Sequence, residues 1–202
     1  LTKCPYVPPH EWNLDFPHTM LRAKAIKFKK GDVSTGDQLL ASTDVHGQFA
    51  GIPIVVQAVN ALNKNSAVRS VMESTLGVDK QAWLPTLAGK KFRSLALQAQ
   101  ASKVVDGEKT PGKVVIYATC YVNYNEPGIG QDLLRILDHN DIPYELVSKE
   151  KCCGMPKLEL GDLDSVDANK KINIPLLAAY AEKGYAILSA VPSCTLMFKQ
   201  EL

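Results

Sequence analysis

The run VVIYATCYVNYNEPGIG, residues 114–130, opens on six apolar or β-branched residues shortly after Pro111-Gly112. VVIYAT at 114–119 therefore reads as a buried strand bounded by a turn. Asn125 is placed to cap a helix over about 126–140, with Ile129, Leu133, Ile136 and Leu137 on one face. Further along, YELV at 144–147 predicts a second strand and AILSAV at 186–191 a third. Between them a helical stretch covers about 163–183, interrupted at Pro175 and ended by Gly184. Another helix starts near Cys194. Strand and helix alternate three times, the pattern of an α/β layer with a mainly parallel sheet.

The cysteines fall at informative places in that layer. Cys120 follows the first strand, Cys152 and Cys153 lie in the loop after the second, and Cys194 follows the third. Open α/β sheets gather ligands at the carboxyl ends of their strands, so these thiols are expected to converge on one edge. Clustered thiolates supply the soft, charged sulfur that zinc and iron–sulfur centres need. Gly154 removes a side chain where the backbone must pass close to such a centre, and Lys149, Lys151 and Lys157 add positive charge around the adjacent pair. Three other readings compete. Buried cysteine is commonly core filler, but four at strand exits, two adjacent, fit that poorly. A zinc site uses the same ligands, although paired C-x-x-C knuckles are missing. A vicinal-thiol switch at Cys152–Cys153 leaves Cys120 and Cys194 unexplained.

Outward from this layer the chain carries less chemistry. Residues 1–17 hold four of the 12 prolines and read as irregular. A basic helix is expected over 18–30, with Gly31 as its stop and a solvated basic face. Residues 37–62 and 65–76 look helical, with a break at Pro53. No reactive constellation is visible there, and His46 has no partner at ligand spacing. Trp83 and Pro85 begin an irregular stretch, and the polar, turn-rich residues 98–112 read as a linker.

Hydrophobic residues make up 46% of the 202, charged residues 22%, and the net charge is +2. That balance supports a packed core and gives no electrostatic case for nucleic acid. The longest apolar runs, such as IPIVV at 52–56, fall well short of the roughly 20 residues of a spanning helix. The chain opens on Leu1 without a charged-then-apolar leader and stops at Leu202 in a helical run, so a segment of a longer protein is expected. Five cysteines, an odd number, favour thiolate chemistry over a disulfide framework and a reducing cytoplasm as compartment.

The phrases CYVNYNEPGIG, SKEKCCGMP and PSC resemble the cysteine-rich CCG domain of the heterodisulfide reductase family of iron–sulfur oxidoreductases, most of all its anaerobic glycerol-3-phosphate dehydrogenase branch. The gaps, 31 residues from Cys120 to Cys152 and 40 from Cys153 to Cys194, match the family's spacing. The resemblance implies Cys120, Cys152, Cys153 and Cys194 as cluster ligands. The last cysteine of the family's C-x-x-C is Met197 here. A neutral thioether replaces a thiolate poorly, which favours a four-ligand [4Fe–4S] cubane over a noncubane cluster and assigns Met197 to packing. Cys4-Pro5 is similar to the end of a ferredoxin C-x2-C-x2-C-x3-C-P run. On that reading Cys4 serves a second cluster with upstream cysteines.

The implied organisation is a ferredoxin-like tail at 1–17, a helical connecting region at 18–97, a linker at 98–112 and a first CCG domain at 113–202. The implied role is electron relay from a partner flavoprotein dehydrogenase to a quinone or disulfide acceptor. Its place would be the cytoplasm, peripheral to the inner face of the membrane beside a quinone-linked partner. The alternatives are a cluster-based heterodisulfide reductase and a zinc-stabilised interaction module.

Overall fold

Strand β1 (Val114–Ile116) lies between β2 (Tyr144–Leu146) and β3 (Ala186–Leu188), and both pairings are parallel. Val115 stands opposite Glu145 on one side and Ile187 on the other. The computed structural model describes residues 4–96 and 113–202. The expected linker at 98–112 lies outside the described residues. The α/β reading holds: a small open parallel sheet sits in a mostly helical chain.

Two cores flank the sheet, and the two-residue period of β1 assigns its side chains to them. Val115 and Tyr117 enter one core, with Val147, Val166, Leu177 and Met197. Ile116 and Ala118 enter the other, with Phe92, Leu134, Leu137 and Tyr144. Helix α8 (Pro127–His139), between β1 and β2, covers the second core. Helix α10 (Leu163–Glu182), between β2 and β3, covers the first. The chain thus leaves β1 toward one face and β2 toward the other, which opens a crevice at the carboxyl ends of adjacent strands.

Three local expectations are corrected. Asn125 does not start α8. It closes the short helix α7 (Cys120–Tyr124), its side chain donates to the Thr86 carbonyl at 2.8 Å, and Glu126 with Pro127 begins α8. The buried seam of α8 is Gly130, Leu134 and Leu137, whereas Ile129 and Ile136 are exposed. Gly130 sets that seam: a Cβ there would lie 2.4 Å from the Phe92 ring, so only glycine lets the aromatic pack on the helix. Helix α10 runs as one element through Pro175. Val166, Asn173 and Leu177 are buried on either side of the proline, and this packing holds the helix across the lost hydrogen bond.

The N-terminal region is helical as expected and breaks before Pro53, but the stretch expected from residue 37 is also broken at Ala41–Ser42. Helix α1 (Phe16–Lys29) is capped by Asp15, which accepts the His18 N–H at 3.2 Å. Then come α2 (Thr35–Leu40), α3 (Thr43–Phe49), α4 (Pro53–Lys64, with proline in its first turn) and α5 (Ser66–Leu76). The irregular stretch after Trp83 ends in a short helix, α6 (Phe92–Ala96), which buries Phe92 and Ala96 in the second core of the sheet layer. Helix α9 (Met155–Leu160), after the second strand exit, meets α1 at Gly161, where a Cβ would lie 2.6 Å from the Lys24 carbonyl. Among the described residues no single helix is long and apolar enough to cross a membrane.

Candidate metal centre

Cys120, Cys152, Cys153 and Cys194 meet in the first core, at the carboxyl ends of the three strands. Cys152, Cys153 and Cys194 are buried, and Cys120 packs against them half-buried. The Sγ atoms of Cys120 and Cys152 are 3.7 Å apart. Cys153 and Cys194 lie in the same buried core, so the four thiols share one pocket. Cys4 is half-buried and does not belong to this cluster.

Each thiol is held by its own device. Cys120 opens α7 behind Thr119, which takes φ +58° and accepts the Val122 N–H on its hydroxyl at 3.2 Å. A left-handed β-branched residue costs on the order of 1–3 kcal/mol, and such strain persists where its surroundings fix it. Cys194 sits in the short helix α11 (Pro192–Leu196), its N–H donating to the Val191 carbonyl at 3.1 Å. A π-helical turn follows over Met197–Glu201.

The Cys152–Cys153 loop is clamped from three elements. Asn173, fully buried on α10, accepts the Lys151 N–H at 2.9 Å and donates to the Lys151 and Cys152 carbonyls, each at 3.2 Å. The Tyr117 hydroxyl donates to the same Lys151 carbonyl. On the opposite side Asp44 accepts the Cys152 N–H at 3.2 Å, and the Thr43 hydroxyl donates to Cys152 Sγ at 3.4 Å. Thr43 and Asp44 begin α3, where sequence reasoning finds no chemistry. His46 in the same helix contacts the Leu39 carbonyl at 2.6 Å.

We expect Asn173→Leu to lower unfolding stability by about 2–4 kcal/mol, because it leaves the Lys151 N–H and the buried Cys152 carbonyl without their partner, while the Lys151 carbonyl keeps the Tyr117 hydroxyl. Urea titration checks this, and an unchanged midpoint would remove Asn173 from the list of supports.

The thiols differ electrostatically. Hydrogen bonds from Cys120 and then Cys153 hold Cys152 far below the ordinary thiol range, against its burial. Their counterparts on Cys120 and Cys153, reinforced by burial, push those two thiols up. Burial also raises Asp44 and Tyr117. The expected ring of lysines is only partly formed: Lys157 Nζ turns to Asp162 at 3.4 Å and to the Ser42 hydroxyl at 3.2 Å. Gly154 is needed for conformation rather than space. Its φ is +97°, while an added Cβ would meet nothing nearer than the Met197 methyl, at an ordinary 3.5 Å. Met197 is wholly buried among the cysteines.

Residues 114–199 match the family model of the cysteine-rich domain, CCG. This segment is a CCG domain. One subunit of the anaerobic glycerol-3-phosphate dehydrogenase of Escherichia coli K12 is 29% identical over 185 residues, covering 89% of this chain and 44% of its own length. One subunit of the fumarate reductase (CoM/CoB) of Methanothermobacter marburgensis is 28% identical over 74 residues, 37% of this chain and 15% of that protein. An uncharacterized iron–sulfur protein of Methanococcus maripaludis is 24% identical over 127 residues, 62% of this chain and 25% of that protein. The chain spans less than half the length of these curated relatives. No solved structure gives a significant match.

As a donor set the CCG cysteines fit an iron–sulfur centre. They are soft thiols from three loops, buried together at one sheet edge, with one of them already disposed toward thiolate. Among the described residues no three His, Cys, Asp or Glu side chains are placed to hold one metal ion.

Proposed function

We propose that this chain holds an iron–sulfur centre on Cys120, Cys152, Cys153 and Cys194 and carries electrons within a multi-subunit oxidoreductase. One observation carries the reading: four thiols from three strand exits converge in a single core, with the Cys120 and Cys152 sulfurs 3.7 Å apart. The relatives' names, those of a dehydrogenase component, a reductase component and an iron–sulfur protein, point the same way. When bound, the cluster supplies one-electron redox chemistry. The chain contributes a buried pocket, three loop exits and a hydrogen bond from the Thr43 hydroxyl to Cys152 Sγ.

The finer reading is a [4Fe–4S] cubane, because Met197 leaves no fifth thiolate at the end of the C-x-x-C pattern. Residues 1–17 are the tail of a ferredoxin-like domain in which Cys4 serves a second cluster, residues 18–97 connect it through a linker at 98–112, and residues 113–202 are a first CCG domain. The electron donor is a flavoprotein partner and the acceptor a quinone or disulfide. The protein works in the cytoplasm, against the inner face of the membrane.

Anaerobic reconstitution followed by iron, zinc and acid-labile sulfide analysis tests the centre. The expected result is near-stoichiometric iron and sulfide with a visible charge-transfer band that bleaches on reduction. Zinc without sulfide would establish the interaction module instead. A paramagnetic signal that changes with a disulfide substrate would move the assignment from relay to reductase.

A further inference from the structure

Thr43 and Cys152 are 109 positions apart in the chain, yet the Thr43 hydroxyl donates to Cys152 Sγ at 3.4 Å. Cys120 Sγ lies 3.7 Å from that same sulfur. The contact is fixed on both sides. Asp44, the next residue, accepts the Cys152 N–H at 3.2 Å, so the start of α3 grips the backbone and the sulfur of one residue together. From behind, Asn173 holds the Cys152 carbonyl. In turn α3 is seated against α7, because Gly47 lies under the Tyr124 ring, where a Cβ would come within 2.1 Å. Tyr124 ends the helix that Cys120 begins. The hydroxyl therefore reaches the Cys152 sulfur from an element outside the CCG domain, on a closely packed support.

We propose that Thr43 is a positioning residue that raises the reduction potential of the centre held by Cys120, Cys152, Cys153 and Cys194, through its hydrogen bond to Cys152 Sγ. The inference rests on the iron–sulfur reading above. A donor aimed at a ligating sulfur withdraws electron density and favours the more negative, reduced state of a cluster. In a buried site that preference is screened less than it would be in water. The helical region thereby sets the driving force for electron transfer through the CCG domain.

Anaerobic reconstitution of the full chain, followed by potentiometric titration of the cluster's paramagnetic signal, tests this. Thr43→Val keeps the shape and removes the donor. The expected result is a tenfold change in the reduced-to-oxidised ratio at fixed potential, about 59 mV toward negative values for a one-electron couple. Iron and sulfide content should stay as in the parent chain. Thr43→Ser restores the potential toward that of the parent. If Thr43→Val does not fold, the pair Thr43→Ser and Thr43→Ala, differing only in the hydroxyl, gives the same comparison. Equal potentials in the hydroxyl-bearing and hydroxyl-free variants, at full cluster content, overturn the proposal. A parent chain that takes up no iron and sulfide overturns the underlying reading along with it.

Discussion

Cys153→Ser is expected to abolish iron and sulfide retention after anaerobic reconstitution, or to leave a centre with an altered spectrum. The reason is its position. Cys153 is buried with Cys152 and Cys194 in the core where the thiols of the three strand exits gather. An alcohol oxygen is a hard, weakly ionised donor that replaces thiolate poorly at soft sites. Loss of an outer-shell partner alone typically costs about 10–100-fold in metal affinity, and removal of a ligand should exceed that. Iron per chain and the visible spectrum, measured on Cys153→Ser beside the parent, read the result. A native spectrum at full iron content would show that the adjacent pair does not coordinate jointly, and the vicinal-thiol reading would then gain.

The second large effect is expected where the helical region meets the CCG domain. Gly161→Ala should destabilise the chain by about 2–5 kcal/mol, combining a left-handed alanine with overpacking against a backbone. Gly161 holds φ +91°, and its added Cβ would stand 2.6 Å from both the carbon and the oxygen of the Lys24 carbonyl. Neither is a flexible side-chain end that can swing away. The nearby ion pair, Lys24 Nζ to Glu159 Oε2 at 2.7 Å, offers a useful contrast. Both partners are largely exposed, so Lys24→Ala should cost under about 1 kcal/mol despite the short distance. Urea midpoints of the two variants test the ranking, and a larger loss for Lys24→Ala would invert it.

The parts of this fold that are legible in the sequence are those written in neighbouring residues. β-Branched and apolar runs mark β1 and β3, Pro53 marks the start of α4, and Gly184, at φ +83°, marks the end of the last long helix. The strand-exit rule is enough to bring Cys120, Cys152, Cys153 and Cys194 to one place. What stays hidden depends on partners distant in the chain. The buried face of α8 is chosen by Phe92 pressing on Gly130, and nothing near Gly130 announces that ring. Asn173 looks like an ordinary polar residue of a helix until the Lys151–Cys152 backbone is folded against it. Thr43 and Asp44 lie more than a hundred residues before the cysteine they hold. A threonine or asparagine carries no local pattern that separates such a role from a solvated one.

The alternation along β1 has a bearing on how such a gene can change. Val115 and Tyr117 belong to the core with the thiols, Ile116 and Ala118 to the core under α8, and Cys120 follows at once. Gaining or losing one codon here would exchange the two sets and turn every side chain to the wrong face. Substitutions among apolar residues are tolerable in this stretch, but length variation is not. Related genes should therefore drift in composition between the strand's first residue and its cysteine while keeping that interval constant. Insertions and deletions should accumulate instead in exposed turns such as Asn140–Asp141, where no sulfur depends on the count.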